Sequence, residues 1–324
     1  MAPRLGQESK VKRLFFSRSV LPALLVFALL FALPARASKI NLSPEAQKVL
    51  DAIYAGDSQH AIALARALEQ AEPQEPIGYL LEGEALWWDR YCSACEIKWG
   101  IIEAWKHDKQ HDDESYFALT DKAIALAQAQ LAKSETAEMR FLLGMGYALK
   151  VRVYGLRSEN RNAARAGVSA RAQMLRALEL DPQLADATGA VGIYNYYVDT
   201  LSPIVKLLRF FMGIPGGDKA KGVEQMEIGM NQGSLLAVDL RFILARALRQ
   251  YDRKYEEALS TARPLVDRYP RNPLFLLLVA NLNAELGRNA KAAEYLQAVQ
   301  QLPGSPPCAA HARGIASSFS STLH

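Results

Sequence analysis

The chain has 324 residues, half of them apolar and 22% charged, which is enough to bury a sizeable core. Its formal charge of +4 is unevenly placed: residues 1–37 hold six basic residues against one acid, Glu8, and the remainder carries one more acid than base. A nucleic-acid binder needs a basic face on its folded part, so that class is excluded.

The first element in the chain is a secretory signal pattern. A basic stretch ends at Arg18, an uncharged apolar run follows from Val20 to Leu33, and Ala35-Arg36-Ala37 forms a small-x-small site before Ser38. The run is short of the ~20 apolar residues of a membrane span. No cysteine lies near the site, so lipid attachment there is not expected. Residues 1–37 are read as a signal peptide, and the mature protein is expected in the periplasm or secreted. The alternative is an uncleaved segment that anchors it to the inner membrane.

Beyond it the chain alternates helix and turn. Ser43-Pro44-Glu45 is a helix start, with a hydroxyl N-cap, Pro in the first turn and an acid near the positive helix end. One phrase then recurs: a small residue, an apolar residue four on, another three later, and a Pro five beyond. It reads Ala61, Ala65, Leu68, Pro73, then Ala170, Met174, Ala177, Pro182, and Ala258, Ala262, Leu265, Pro270. Ala292, Leu296, Val299 and Pro303 form a looser copy, 34 residues after Ala258. Weaker phrases are Ala123 with Ala127, and Gly222, Met226 and Gly229. Upstream sit Gly83, Gly144 and Gly192, small residues of the kind needed where two helices cross closely. No alternating strand pattern with hairpin turns is found.

At these Pro, Ala and Gly positions the sequence resembles the tetratricopeptide repeat family, in its exported bacterial form. The large aromatic that opens the first helix of a repeat is kept only in part, as Tyr79 and Phe242. The resemblance implies an all-α fold, a right-handed superhelical solenoid of helical hairpins spanning 38–306. Six units are expected, at about 42–75, 76–136, 137–184, 185–236, 239–272 and 273–306. The middle three carry long insertions between their helices. Residues 307–324, small and Ser-rich, are expected to be a disordered tail.

The second unit holds all four Trp, at 87, 88, 99 and 105, together with Cys92, Cys95, His107 and His111. Three readings stand side by side. The four Cys and His approach a zinc spacing, which in one helix would put the pairs roughly 20 Å apart, so a metal site needs a break at Gly100. A Cys92–Cys95 disulfide suits an exported protein but is strained inside a helix. Alternatively Trp88, Cys92, Cys95, Trp99 and Ile102 form one buried face of a long helix.

Residues 203–212 read as an apolar helix inserted into the fourth unit, either core or a contact for a membrane or partner. Gly213–Lys219 is Gly-rich but lacks a phosphate-loop pattern and reads as a turn with Asp218 as N-cap. No Ser/His/Asp set, paired-carboxylate site or H-E-x-x-H motif is visible, and no cofactor is expected.

In the family that this chain resembles, the first helices of successive units line a concave face that binds peptides. Matched positions give Phe141 and Met145, then Ile193, Tyr196 and Tyr197, then Asn281 and Glu285. The set is mostly apolar and aromatic, which fits an apolar peptide or helix rather than an acidic tail. Tyr196 and Tyr197 could equally pack under the inserted helix. The expected function is thus a non-enzymatic scaffold that binds a protein or peptide through the concave face and the insertions. The alternatives are a metal- or thiol-redox module at the CxxC region and a membrane-associated scaffold.

Overall fold

The structure is a computed structural model and describes residues 37–105, 107–203, 205–206, 213–303 and 307–323. The signal pattern lies outside these residues, as does most of the 203–212 insertion. Among the described residues no helix is long and apolar enough to cross a membrane.

The chain forms a stack of antiparallel helical hairpins. The first pair is α1 (Pro44–Tyr54) and α2 (Ser58–Ala71). Next come α3 (Pro76–Ser93) and α4 (Asp113–Leu131), separated by a two-stranded hairpin of β1 (Cys95–Lys98) and β2 (Ile101–Ala104). Then follow α5 (Ala137–Leu156) with α6 (Asn160–Leu180), and α7 (Ala185–Thr200) with α8 (Lys219–Gln232). The fifth pair is α9 (Ala237–Ala247), extended by a π-helical turn over Leu248–Asp252, with α10 (Tyr255–Arg268). Helices α11 (Pro273–Glu285), α12 (Asn289–Gln300) and α13 (Pro307–Ser320) complete the order.

The helix ends follow from local chemistry. Ser43, Asp57, Thr136 and Asp218 each accept a backbone N–H of the first turn behind them. Asn272 does the same for Leu274 and Phe275, and its amide also donates to Tyr54 O at 2.9 Å. The recurring phrase is the face that each second helix buries: Ala61, Ala65, Ala258, Ala262, Ala292, Leu296 and Val299 are wholly or almost wholly buried. Where α7 crosses α8 the backbones touch. A Cβ on Gly192 would lie 2.8 Å from Gly222 O and from Met226 N, so only glycine allows the approach.

The two ends of the stack meet. Helix α13 packs on α3, α11, α12 and β1. Tyr269 at the end of α10 donates to Asp51 of α1 at 3.2 Å. Residues 38–40 run beside the start of α7, where Ile40 N and Ser234, Leu235 and Leu236 N all donate to the fully buried Asp186 carboxylate. First helices from four pairs converge on Trp88, whose ring lies 5.8 Å from Tyr54, 5.0 Å from Phe242 and 5.6 Å from Phe275. Such packing of large rings fills the centre with the chain's own side chains.

Three expectations are corrected. The face expected over 88–102 is not one helix: α3 ends at Ser93, and the chain turns into β1, leaving Trp99 in solvent. The extra length of the third unit lies in long helices, not between them, since only residues 157–159 separate α5 from α6. The tail is not disordered: 307–320 is helical and buries Cys308, Ala309, Ala312, Ile315, Ala316 and Phe319. It is joined to α3 by a disulfide between Cys92 and Cys308.

Candidate functional site

The β1–β2 hairpin is the feature that the helical pattern does not require. Lys98 pairs with Ile101, so Trp99 and Gly100 are the whole loop. Their φ values, +52° and +77°, are both left-handed, as in a type I′ turn. Asn-Gly is the sequence that suits such a turn, because Gly and Asn tolerate positive φ and a bulky aromatic does not. Trp99 is nevertheless held there at 85% exposure. Its only aromatic neighbour among the described residues is Trp105, edge-on at 5.4 Å, with the Lys98 ammonium 5.5 Å from the Trp105 ring.

The base of the hairpin is fixed by a buried ionic cluster. Glu103 of β2 takes bonds from Arg246 at 2.9 and 2.5 Å and from Arg249 at 2.8 Å, and one from the Tyr91 hydroxyl. Burial works to raise its pKa, but the two guanidiniums and the bonds from Arg246 and Tyr91 outweigh it and hold the carboxyl below its ordinary range. Arg249 stands in the π-helical turn and is 1% exposed at its side chain. Its other arm donates to Asn281 Oδ1 at 2.9 Å, while Asn281 Nδ2 donates to Gly100 O at 2.8 Å. Thus α9 and α11 clamp both the strand and the turn from inside the stack.

The residues assigned to a peptide groove lie in this interior. Phe141, Tyr196 and Asn281 are fully buried and Met145 nearly so. Tyr196 donates to Ala247 O at 3.1 Å and to Asp252 at 2.8 Å, and Tyr197 stands edge-on to Tyr251 at 5.8 Å. Ile193, Tyr197 and Glu285 are half-buried. The set is not gathered into one open surface: Phe141 and Met145 belong to α5, and Asn281 is engaged by the chain's own hairpin. The amide that would hold a ligand backbone holds Gly100 instead.

The metal reading is also corrected. Cys92 is bonded to Cys308, 216 residues away, and therefore offers no thiolate. Cys95 is a free, buried thiol whose pKa is raised by burial and by Glu103. His107 Nε2 faces Glu96 at 3.3 Å and His111 is exposed. Among the described residues no three His, Cys, Asp or Glu side chains come together as a metal set. The Cys92–Cys95 disulfide, one of the three readings of this region, does not form: α13 brings Cys308 to Cys92, and Cys95 in β1 stays a free thiol.

A second buried carboxylate lies nearer α1. Glu84 Oε1 accepts from Trp88 Nε1 at 2.9 Å and from Arg152 at 2.6 Å, and Arg152 also reaches Asp239 at 3.3 Å. Burial raises the Glu84 pKa, Arg152 pulls it down and Asp239 pushes it up, leaving it at about 8. Among the described residues the Tyr54 hydroxyl has no hydrogen-bond partner, and Tyr54, Glu84 and Asp239 line a small cavity with Leu50, Leu81 and Met145.

No family model matches the chain, and no curated protein matches it. Among solved structures it is similar to the C-terminal part of a TPR repeat-containing protein from Cytophaga hutchinsonii, at 16% identity over 78% of this chain and 77% of that one, with a TM-score of 0.34. It is also similar to the TPR2AB domain of yeast Sti1 in complex with pHSP90, at 11% identity over 86% and 96%, with a TM-score of 0.29. Both are tetratricopeptide-repeat proteins, the family that the sequence resembles.

Proposed function

We propose that this protein is a non-enzymatic scaffold that captures a protein partner, with Trp99 at the hairpin tip as its anchor. The observation that carries the reading is the conformation of Trp99: a large aromatic, left-handed and 85% exposed, in a loop that folding alone would fill better with Asn. Trp is one of the residue types enriched among binding hot spots. The interior groove residues are engaged by the chain itself, so the contact surface of this reading moves from the concave face to the insertions. The rigid base supports that role, because an anchor held in place loses little freedom on binding.

We further propose that the scaffold is exported. The basic, apolar and small-residue pattern of residues 1–37 supports this, and so does a disulfide, which persists in oxidising compartments. N-terminal sequencing of the exported protein is expected to begin at Ser38; a chain that begins at Met1 or Ala2 would remove cleavage from the reading.

The anchor is tested by capture from the native envelope with wild type, Trp99→Asn and Trp99→Phe as bait. Trp99→Asn is expected to lose the partner while its circular dichroism stays unchanged, and Trp99→Phe to retain part of it. Equal recovery by wild type and Trp99→Asn would sink the assignment.

A further inference from the structure

We infer that the Cys92–Cys308 disulfide is a latch that keeps α13 seated in a helix-binding groove of its own chain, and that a dithiol reductant opens it. The argument is independent of Trp99. Helix α13 lies against α3, α11, α12 and β1. The face it buries is made largely of small residues, Cys308, Ala309, Ala312 and Ala316, with Ile315 and Phe319 the two large ones. Its opposite side is Ser- and Gly-containing and exposed, at Gly314, Ser317 and Ser318. Its four alanines favour a helix, but Gly314 and three serines do not, and only Ile315 and Phe319 bring large apolar side chains. Its polar ties among the described residues include His311 Nε2, 2.7 Å from Cys95 O, and Arg313, which donates to Leu302 O at 3.1 Å. The cross-link to Cys92 is what keeps the terminal helix close, since it closes a loop over most of the chain.

What lies beneath α13 needs a cover. Leu274, Leu276, Leu277, Leu278, Val279 and Leu282 of α11 are all buried, so that helix is apolar on every side and α13 shields one of them. Unseating α13 leaves a groove already shaped to a helix with a small-residue face, the helix-in-groove mode of recognition. Cys95 does not short-circuit the latch. It lines a separate small cavity with Arg246, Arg249 and Leu277, and burial keeps its thiol protonated.

The opening step is balanced by the reductant. One thiolate of a dithiol attacks the Cys308 sulfur, the less buried of the two, forming a mixed disulfide. Cys92 leaves as a thiolate and takes up the proton. The second thiol then displaces Cys308, so the dithiol ends as a cyclic disulfide and Cys92 and Cys308 end as thiols.

The test uses the full chain, oxidised and after dithiothreitol, with alkylation of the unfolded protein counting one and three thiols respectively. Amide exchange over 307–320 is expected to accelerate about tenfold or more on reduction, while α3 and α11 keep most of their protection. A labelled peptide with the sequence of residues 307–320 is expected to bind reduced protein and not oxidised protein. Cys308→Ser is expected to reproduce both results without reductant, and Cys95→Ser to behave as oxidised wild type. Unchanged protection of 307–320 with three thiols alkylated would overturn the latch. So would failure of the peptide to bind reduced protein whose own α13 exchanges freely. If Cys308→Ser does not fold, the reduction of wild type decides alone.

Discussion

Two carboxylates buried in the same stack have been driven in opposite directions. Glu103 meets two guanidiniums, a phenol and a backbone N–H, and is held ionised. Glu84 has one guanidinium, shares it with Asp239, and is pushed up to about 8. Burial is alike for both, so the difference lies in the ratio of cations to carboxylates: two to one at Glu103, one to two at Glu84. A buried carboxylate with enough donors becomes a rigid anchor, and one without them keeps a proton. The first lies at the base of the exposed hairpin, where rigidity would serve the proposed anchor; the second lies at the packed centre.

The largest expected effect is on the anchor. Glu103→Gln leaves Arg249, almost fully buried, and Arg246 without their counter-charge. Breaking one side of a buried ion pair costs about 3–5 kcal/mol. Urea unfolding at pH 7 should show that loss, and hydrogen exchange over 95–104 should rise with it. A loss below ~1 kcal/mol would break the contrast, because it would mean that the cluster is not what holds the hairpin.

The next effect is a difference in pH dependence. For Glu103 the folded pKa lies below the unfolded one, so its contribution is present above the unfolded value and is lost as pH falls through the folded value. For Glu84 the folded pKa of about 8 lies above the unfolded value of 4.5. The folded state then binds the extra proton, and stability falls as pH rises between those limits. Glu69, raised to about 8 first by burial and then by its hydrogen bond to Glu82, titrates in the same window. Glu84→Gln keeps the Oε1 acceptor and offers an N–H toward Asp239, so it should lie within about 1 kcal/mol of wild type at pH 5. Between pH 5 and 8 wild type should lose stability faster than the variant, with Glu69 and the other carboxyls raised by burial, Asp89 and Glu138, contributing to the slope that remains. Parallel stability curves for the two proteins would show that Glu84 is ionised throughout.

The sequence disclosed the helical architecture through residues with one job each. Pro44, Pro76 and Pro273 stand in first turns, and the recurring phrase lies along the side that α2, α6, α10 and α12 bury, apart from the half-buried Ala170. The hairpin was hidden because Trp88, Cys92, Cys95, Trp99 and Ile102 happen to keep helical spacing. The local signal was there in Trp99-Gly100 between Ile97 and Ile101, a two-residue turn flanked by β-branched residues. Cys308 was missed for a different reason. A pairing across 216 residues exists only because the two ends of the stack meet, and no local pattern encodes that meeting. Burial of the groove residues was hidden for the same reason: Phe141, Met145, Tyr196 and Asn281 are covered by side chains from distant parts of the chain.

The smallest expected effect on stability separates the tip of the hairpin from its base. Among the described residues Trp99 makes one edge-on ring contact, with Trp105, and it occupies a left-handed position that a bulky side chain disfavours. Trp99→Asn gives up that contact, worth ~0.5–1.5 kcal/mol, and relieves backbone strain of similar size. The two terms oppose each other, so the net change should fall within about 0.5 kcal/mol, the range of ordinary surface substitutions. Thermal unfolding of Trp99→Asn and Glu103→Gln side by side checks this: a midpoint near wild type for the first and a large drop for the second. If Trp99→Asn were instead as damaging as Glu103→Gln, the ring would be a structural brace for the hairpin, and its exposure would no longer call for a partner.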